Sequence, residues 1–344
     1  MLADTFEIRA GTREHLGDLL SLARFLDTVN LPDDRASLER LLETSERSFA
    51  RTIPDPRRRE YVFVLWDRAA GRAAGTSSII AQLGRREAPY IYFDVRTEEK
   101  YSATLDRHFE HTLLHTTYSY DGPTEIGGLV VHPDYRRRPE RLGGLISYVR
   151  FLFIAMRRND FRDEVVAELL PPLGSDGTSV LWEAVGRRFT GLDYRTADRL
   201  SKRNKEFISG LFPDDIPATL LSPEARAVIG AVGEPSRGVE TMLRRVGFRY
   251  ARRVDPFDGG PHFLAETDAI TLVRDASSRP VVAAIGPGAP VPLPALAAVD
   301  RASPPYFTAV QALLCGDSIH LSPNGCAALA VQPSDSVSST PVSA

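Results

Sequence analysis

Residues 129–146, Leu129-Val130-Val131-His132-Pro133-Asp134-Tyr135-Arg136-Arg137-Arg138-Pro139-Glu140-Arg141-Leu142-Gly143-Gly144-Leu145-Ile146, restrict the fold more than any other stretch. An apolar strand enters a turn punctuated by proline and loaded with arginine, and a glycine pair then opens an apolar helix. Strand, tight turn and helix in that order are a building unit of mixed α/β folds. The chemistry is constrained as well. N–H groups in the first turn of a helix carry partial positive charge and attract phosphate. Gly143 and Gly144 let a pyrophosphate approach the backbone, and Arg136, Arg138 and Arg141 add charge-assisted bonds. A solvated basic turn with glycines needed only for packing explains the same residues, and spacing alone does not separate the two readings.

The rest of the body supports a mixed α/β class. Phe6–Ala10 alternates as a strand does. Leu16, Leu19, Leu20, Ala23 and Leu26 make one stripe of a helix over about 13–26, and Leu38, Leu41, Leu42 and Phe49 make another over 34–49. Buried-strand runs follow at 61–66 and 73–83, with a turn at Gly71 between them, and Glu125 to Val131 is a further strand. A helix over 142–158, a strand over 165–169 and a helix over 178–189 then alternate as βαβα units do. The segment Trp182 to Phe189 is echoed by Met242 to Tyr250: in each a helix ends at a valine–glycine step and an aromatic residue follows. A left-handed glycine cap explains both glycines, and the echo points to two related half-units.

Composition matters mainly for what it excludes. The 344 residues contain 43% hydrophobic and 25% charged residues, which suits a folded protein of more than one domain. A net charge of −3 gives no footprint for general nucleic-acid binding. Cys315 and Cys326 are too few for a disulfide framework or a thiolate zinc site, which fits a reducing, cytoplasmic setting. Met1-Leu2-Ala3-Asp4-Thr5 has no basic region followed by an apolar one, so no secretory signal is expected, and no apolar run is long enough to span a membrane. Ten prolines fall between Pro280 and Pro341, where charge is scarce. That shift marks a boundary near residue 276. The expected organisation is a unit over 1–195, a second, partial unit over 196–275, and a reduced C-terminal appendage over 276–344 with a disordered end.

At the level of motifs the chain resembles the arginine N-succinyltransferase family, within the GNAT-like acyltransferase superfamily. The strand, Pro-x-x-Arg turn, glycines and helix at 129–146 look like that superfamily's acyl-CoA loop. Matching stretches continue in order through Tyr61 to Leu65, Arg150 to Met156, Val165 to Glu168, Gly186 to Phe189, Ala197 to Leu200, Lys205 to Ile208, Val228 to Gly230 and Gly247 to Tyr250. Val254-Asp255-Pro256-Phe257-Asp258-Gly259-Gly260-Pro261 closes the series. The resemblance implies a GNAT-like fold and an N-acyltransferase of arginine catabolism. It would carry a succinyl or similar group from succinyl-CoA or another acyl-CoA to the α-amine of arginine or an ornithine-like acceptor. No metal is implied. Leu129 takes the position of the family's CoA-contacting leucine, with Val130 and Val131 offering backbone groups to the pantetheine arm. Glu125 matches a family glutamate, and Glu168 and Asp258 match acidic positions suited to a cationic acceptor. In the family's pattern Glu125 would poise a water or bind the guanidinium, and a surface strand-end carboxylate is the competing reading; for Glu168 and Asp258 the competing reading is buried structural acids paired with arginines.

Three departures accompany these matches. Gly233 stands where the family's proton-donating histidine would be, leaving the adjacent Glu234 as the nearest titratable group. Arg141 replaces the first glycine of the phosphate loop, and Leu169-Leu170-Pro171 replaces a Met-Arg-Gly. Two readings stay open on this basis: an active acyltransferase, or a catalytically impaired homologue serving as an interaction or regulatory subunit of an active paralogue. Self-assembly or pairing with that paralogue is compatible with both. His108, His111 and His115, at helical spacing, lack the carboxylate and fourth ligand of a metal centre and read as one side of a helix.

Overall fold

The computed structural model describes residues 5–25, 31–32, 34–174, 176–201, 204–285 and 290–342. The chain is mixed α/β and divides into two compact units built from interleaved segments. The first comprises Met1–Gln82, Thr124–Asp163 and Glu266–Ala344, the second Leu83–Pro123 and Glu164–Ala265. This differs from the expected cuts at 195 and 275. The reason is topological: strands distant in sequence complete one sheet, which hydrophobic pattern does not reveal.

In the first unit the strands run, in spatial order, Leu293–Asp300, Ser336–Pro341, Ser277–Val282, Ser318–His320, Phe307–Cys315, Phe6–Ala10, Glu60–Asp67, Arg72–Ile80 and Thr124–Val131. Five of these nine come from the segment expected to be a reduced appendage. Its end is a strand too: Ser336–Pro341 pairs antiparallel with Ser277–Val282 and with Leu293–Asp300. The segment's small apolar residues, Ala295, Ala297, Val310, Ala312, Ile319 and Val337 among them, form a core of their own. The Phe307–Cys315 strand also pairs with Phe6–Ala10, joining the two ends of the chain.

Asp34 caps the helix Arg35–Phe49 by accepting from Ser37 N–H at 2.8 Å, and that helix buries Leu38, Leu41, Leu42 and Phe49. Phe49 meets Tyr61, Phe63, Phe153 and Phe307 in an aromatic cluster with ring centroids 5.1–6.3 Å from it. The N-terminal helical stretch begins as a 3-10 turn, Arg13–His15, and continues as the helix Leu16–Ala23; Leu26 lies outside the described residues.

The second unit holds the strands Glu164–Glu168, Pro261–Glu266, Arg249–Val254, Tyr90–Ser102, Arg107–Ser119 and Asp215–Pro217, in that spatial order. Its core gathers Phe93, Leu114, Leu181, Trp182, Ile208, Val254 and Phe257. The expected helix over 178–189 is two short helices, Val180–Ala184 and Gly186–Thr190. Gly186 is not a left-handed cap. A Cβ there would lie 2.2 Å from the Trp182 ring, so close packing selects glycine. Gly247 does adopt a positive φ, 113°, between the helix Arg237–Arg245 and the strand Arg249–Val254. His108, His111 and His115 lie on the strand Arg107–Ser119, not on a helix. Their register partners are Tyr101, Glu98 and Asp94, and His111 and His115 hydrogen-bond Thr219 and Asp215. Thirteen-residue pairing across the hairpin overrides the helical spacing. Among the described residues no helix is long and apolar enough to cross a membrane.

Candidate active site

The loop that stands out in the sequence is part of the first unit. In the antiparallel pairing of Arg72–Ile80 with Thr124–Val131, Thr76 faces Val130 and Ser78 faces Gly127. Gly128 and Leu129 therefore oppose Ser77 alone. This is a β-bulge, and Gly128 enters it with φ 58°. A Cβ on Gly128 would lie 2.7 Å from Ser78 Oγ, so both conformation and space select glycine. Leu129 thus sits where the ladder is interrupted.

Arg150, deep in the helix Leu142–Met156, supports the bulge from behind. The residue is 2% exposed, and its guanidinium donates to Gly127 O at 3.2 Å, Ser147 O at 2.9 Å and Ser147 Oγ at 2.9 Å. Burial pushes it down to about 9, so it stays charged at neutral pH. The sequence offered one hint of this, a lone arginine within an apolar helix.

The turn after the strand is held from several sides. Arg136 Nε donates to Val131 O at 2.8 Å, Gln311 Nε2 donates to Glu140 O at 3.0 Å, and the Tyr135 hydroxyl donates to Asp67 at 2.9 Å. Arg138 lies over the Tyr135 ring, 4.6 Å from its centroid. Arg137 and Arg141 both adopt left-handed backbone, and Arg136, Arg138 and Arg141 are exposed. Arg141 O accepts from Gly144 N–H and Leu145 N–H, so Leu142 and Gly143 carry the N–H groups of the first turn that have no helical acceptor. A Cβ on Gly143 or Gly144 would meet only a side-chain atom at 4.0 or 3.9 Å, so packing alone does not require either glycine. Glu125, at the start of the strand, is buried and lies opposite Ile80. A separate cleft of about 1040 Å³ in this unit, between Glu7, Arg9, His15, Glu43 and Tyr306, contains none of these residues.

The acidic residues singled out in the sequence lie in the second unit. Asp258 and Glu168 are joined there by Asp255 and His262, which were not anticipated. Asp258 Oδ1 accepts from Gly260 N–H at 2.7 Å and closes the turn after Phe257. Asp255 Oδ1 accepts from Phe257 N–H at 2.7 Å and Asp258 N–H at 3.3 Å. One donor atom from each of Glu168, Asp255 and His262 lies within 4.8 Å of the others. His262 is fully buried, and its Nδ1 is 2.8 Å from the Tyr90 hydroxyl. Glu168 is the open member, its side chain 32% exposed.

Burial governs the protonation of these groups, and crowding of carboxylates adds to it. Burial, then Glu168, pushes Asp255 up to about 6; burial, then Asp255, pushes Asp258 well above the usual carboxylate range. Burial also raises Glu168, opposed by Lys205. His262 is pushed down to about 4 by burial, with Lys205 and Arg253 adding to the effect and Asp255 opposing it, and is neutral at pH 7. The visible signal in the sequence was the unusual run Asp255 to Pro261; nothing in it paired that run with residue 168.

A stability test follows. Asp255 binds its proton more tightly folded than unfolded, so its contribution is present below the unfolded pKa and is lost as pH rises through about 6. Asp255→Asn removes the ionised carboxylate facing Glu168, Asp258, His262 and Lys205. Thermal melts at pH 8 are expected to show the variant more stable by on the order of 1 kcal/mol, with the gap shrinking toward pH 4. A variant less stable at pH 8 contradicts this reading.

Gly233 and Gly260 both pack closely against the 169–171 segment. Gly233 N–H donates to Leu170 O at 2.8 Å, and a Cβ on Gly233 would sit 2.7 Å from Pro171 O. The local backbone excludes a side chain at 233, so Gly233→His cannot simply restore a histidine. A Cβ on Gly260 would likewise lie 2.4 Å from Leu169 O. Glu234 is exposed at the start of the turn Glu234–Ser236.

A mixed α/β body with a bulged strand, a basic turn and a glycine-opened helix is the frame of an N-acyltransferase that uses acyl-CoA as co-substrate. The family profile described as arginine N-succinyltransferase beta subunit matches residues 6–272, and the chain belongs to that family. An arginine N-succinyltransferase of Yersinia enterocolitica is 33% identical over 338 residues, covering 96% of each chain. Arginine N-succinyltransferase subunit beta of Pseudomonas aeruginosa is 35% identical over 283 residues, covering 81% of each. The solved structure of arginine/ornithine succinyltransferase subunit AI from Pseudomonas aeruginosa superposes with a TM-score of 0.82 at 28% identity, over 99% of each chain.

Proposed function

We propose that this protein transfers a succinyl group from succinyl-CoA to the α-amine of arginine. Family membership over residues 6–272 carries the reading. The catalytically impaired alternative is not supported, since relatives at 33–35% identity bear the enzyme's name.

The reaction needs a neutral amine, a polarised thioester carbonyl and a proton for the departing thiolate. Nitrogen attacks the carbonyl carbon, the C–N bond forms and the C–S bond breaks. The amine's proton leaves and the thiolate gains one, with no covalent enzyme intermediate. In this reading the loop of residues 129–144 binds acyl-CoA. The bulge at Leu129 frees backbone there, Val130 and Val131 continue along the pantetheine arm, and Arg136, Arg138, Arg141, Gly143 and Gly144 hold the phosphates. Glu125 accepts the amine's proton through water. For the acceptor, Glu168 supplies the negative charge that a cationic amino acid requires, with Asp258 close to it; Glu234 gives the thiolate a proton and regains one from water, as Glu125 passes the amine's proton to water.

The deciding measurement is release of free CoA thiol from succinyl-CoA with arginine. The expected result is one thiol released per N-succinylarginine formed. No release with arginine, ornithine or other amines would sink the proposal.

A further inference from the structure

Within the second unit, one buried nitrogen is not accounted for by the fold. His262 is 0% exposed and Nδ1 is matched by Tyr90, yet Nε2 has no hydrogen-bond partner. It lies 3.4 Å from Glu168 Oε1 without making a hydrogen bond to it. A buried polar atom without a partner costs folding free energy and marks a place where a ligand can supply the missing bond. Asp255 points the same way. Both of its backbone bonds fall on Oδ1, which fixes the carboxylate beside Glu168 and His262.

Charge indicates what kind of ligand. Glu168 and Asp255 lie beside a histidine that is neutral, with both carboxylates acting on Asp258, so these four side chains bring no positive charge of their own. Lys205 and Arg253 already act on His262, and Lys205 acts on both Glu168 and Asp255. Two resident cations leave room for a singly charged organic cation and disfavour a doubly charged metal ion. In the tautomer that carries its hydrogen on Nδ1, toward the Tyr90 oxygen, Nε2 is a bare acceptor, and a bare acceptor beside the carboxylates of Glu168 and Asp255 is matched by a planar cation rich in N–H groups.

We propose that Glu168, Asp255 and His262 bind the side-chain guanidinium of the acceptor, and that Asp255 and His262 set the preference for a charged acceptor over a neutral one. The proposal rests on the amine-acyltransferase reading above and goes beyond it by assigning two residues outside the expected site. The guanidinium suits the role because it keeps its charge at every working pH, whereas the attacking α-amine must lose its own. A carboxylate accepts two parallel N–H bonds from such a group, and Nε2 accepts a further one.

Arginine and citrulline, which share a shape but differ in charge, are the probes. Thiol release with succinyl-CoA is measured on the full chain for wild type, Asp255→Asn, His262→Asn and Glu168→Gln. Loss of one charged hydrogen bond corresponds to roughly tenfold or more. Each variant is expected to lower the arginine-to-citrulline ratio of kcat/KM by about that factor, through the KM of the acceptor, with the KM of succinyl-CoA unchanged. His262→Asn keeps a partner for Tyr90 but removes Nε2, so a merely structural histidine would leave the ratio intact. An unchanged ratio in Asp255→Asn and Glu168→Gln, with near-ultraviolet dichroism native, overturns the proposal. So does zinc or manganese retained stoichiometrically by wild type through gel filtration and lost in Asp255→Asn. If wild type turns over no amine, the enzymatic reading fails separately. Calorimetry still decides the site: arginine binding wild type at least about tenfold more tightly than Asp255→Asn supports it, and equal affinities overturn it.

Discussion

Gly128→Val is expected to raise the KM for succinyl-CoA by at least about tenfold while leaving the KM for arginine within about twofold. Gly128 holds a left-handed φ of 58°, a conformation that costs a side-chain-bearing residue roughly 1–2 kcal/mol and a β-branched one more. Space is also short, with Ser78 Oγ 2.7 Å from where the first side-chain atom would sit. The strand can relieve both by flattening the bulge. That returns Leu129 to the ladder opposite the Arg72–Ile80 strand and turns neighbouring side chains to the wrong face. On the proposed assignment of residues 129–144 to acyl-CoA, the defect lies in that loop, so loss of acyl-CoA binding should exceed loss of acceptor binding. Kinetics with each substrate varied in turn, alongside urea unfolding, separate the two effects. Equal rises in both KM values would point to global damage and count against a local role for the bulge.

Asp300→Ala is expected to destabilise the first unit by about 3–5 kcal/mol. Asp300 ends the strand Leu293–Asp300 and receives two bonds from Arg157, at 2.6 and 2.9 Å, and one from Arg51 at 3.0 Å. The Arg157 side chain is 1% exposed, with Nη2 also donating to Phe49 O at 3.0 Å. Removing the carboxylate strands a charge that water does not reach, which is costlier than removing the pair together. Asp300→Ala with Arg157→Met should therefore recover much of the loss. The same contacts predict that a chain ending at residue 275 fails to fold its first unit. It would lack Phe307, which packs on Phe49, Phe63 and Phe153, and the strand that pairs with Phe6–Ala10. A cooperative native-like melt of that truncated chain would refute the claim that the C-terminal strands belong to this unit.

Residues 276–344 show where sequence reading reaches its end. Low charge and frequent proline look like a tail, yet small apolar residues such as Ala295, Ala297 and Ala312 fill a thin core between a sheet and the short helix Pro323–Leu329. Proline ends or edges strands without forbidding a sheet. The histidines at 108, 111 and 115 fail differently: their spacing is helical by coincidence, and cross-strand pairing with residues 94–101 decides the conformation. The helices at 35–49 and 142–156 were legible because a buried stripe or an apolar run of that length admits little else.

On its own, the sequence determined the mixed α/β class, the strand–turn–helix of residues 129–146 with its glycines, and the family, because these depend on local pattern and on residues close together in the chain. Only the tertiary structure decided the bulge at Gly128–Leu129, the interleaving of the two units and the meeting of Glu168 with Asp255 and His262. Each of those depends on strand register and on which distant strands become neighbours. Register is set by packing across the sheet, so residues 168 and 262 share a site although nothing in either local sequence names the other.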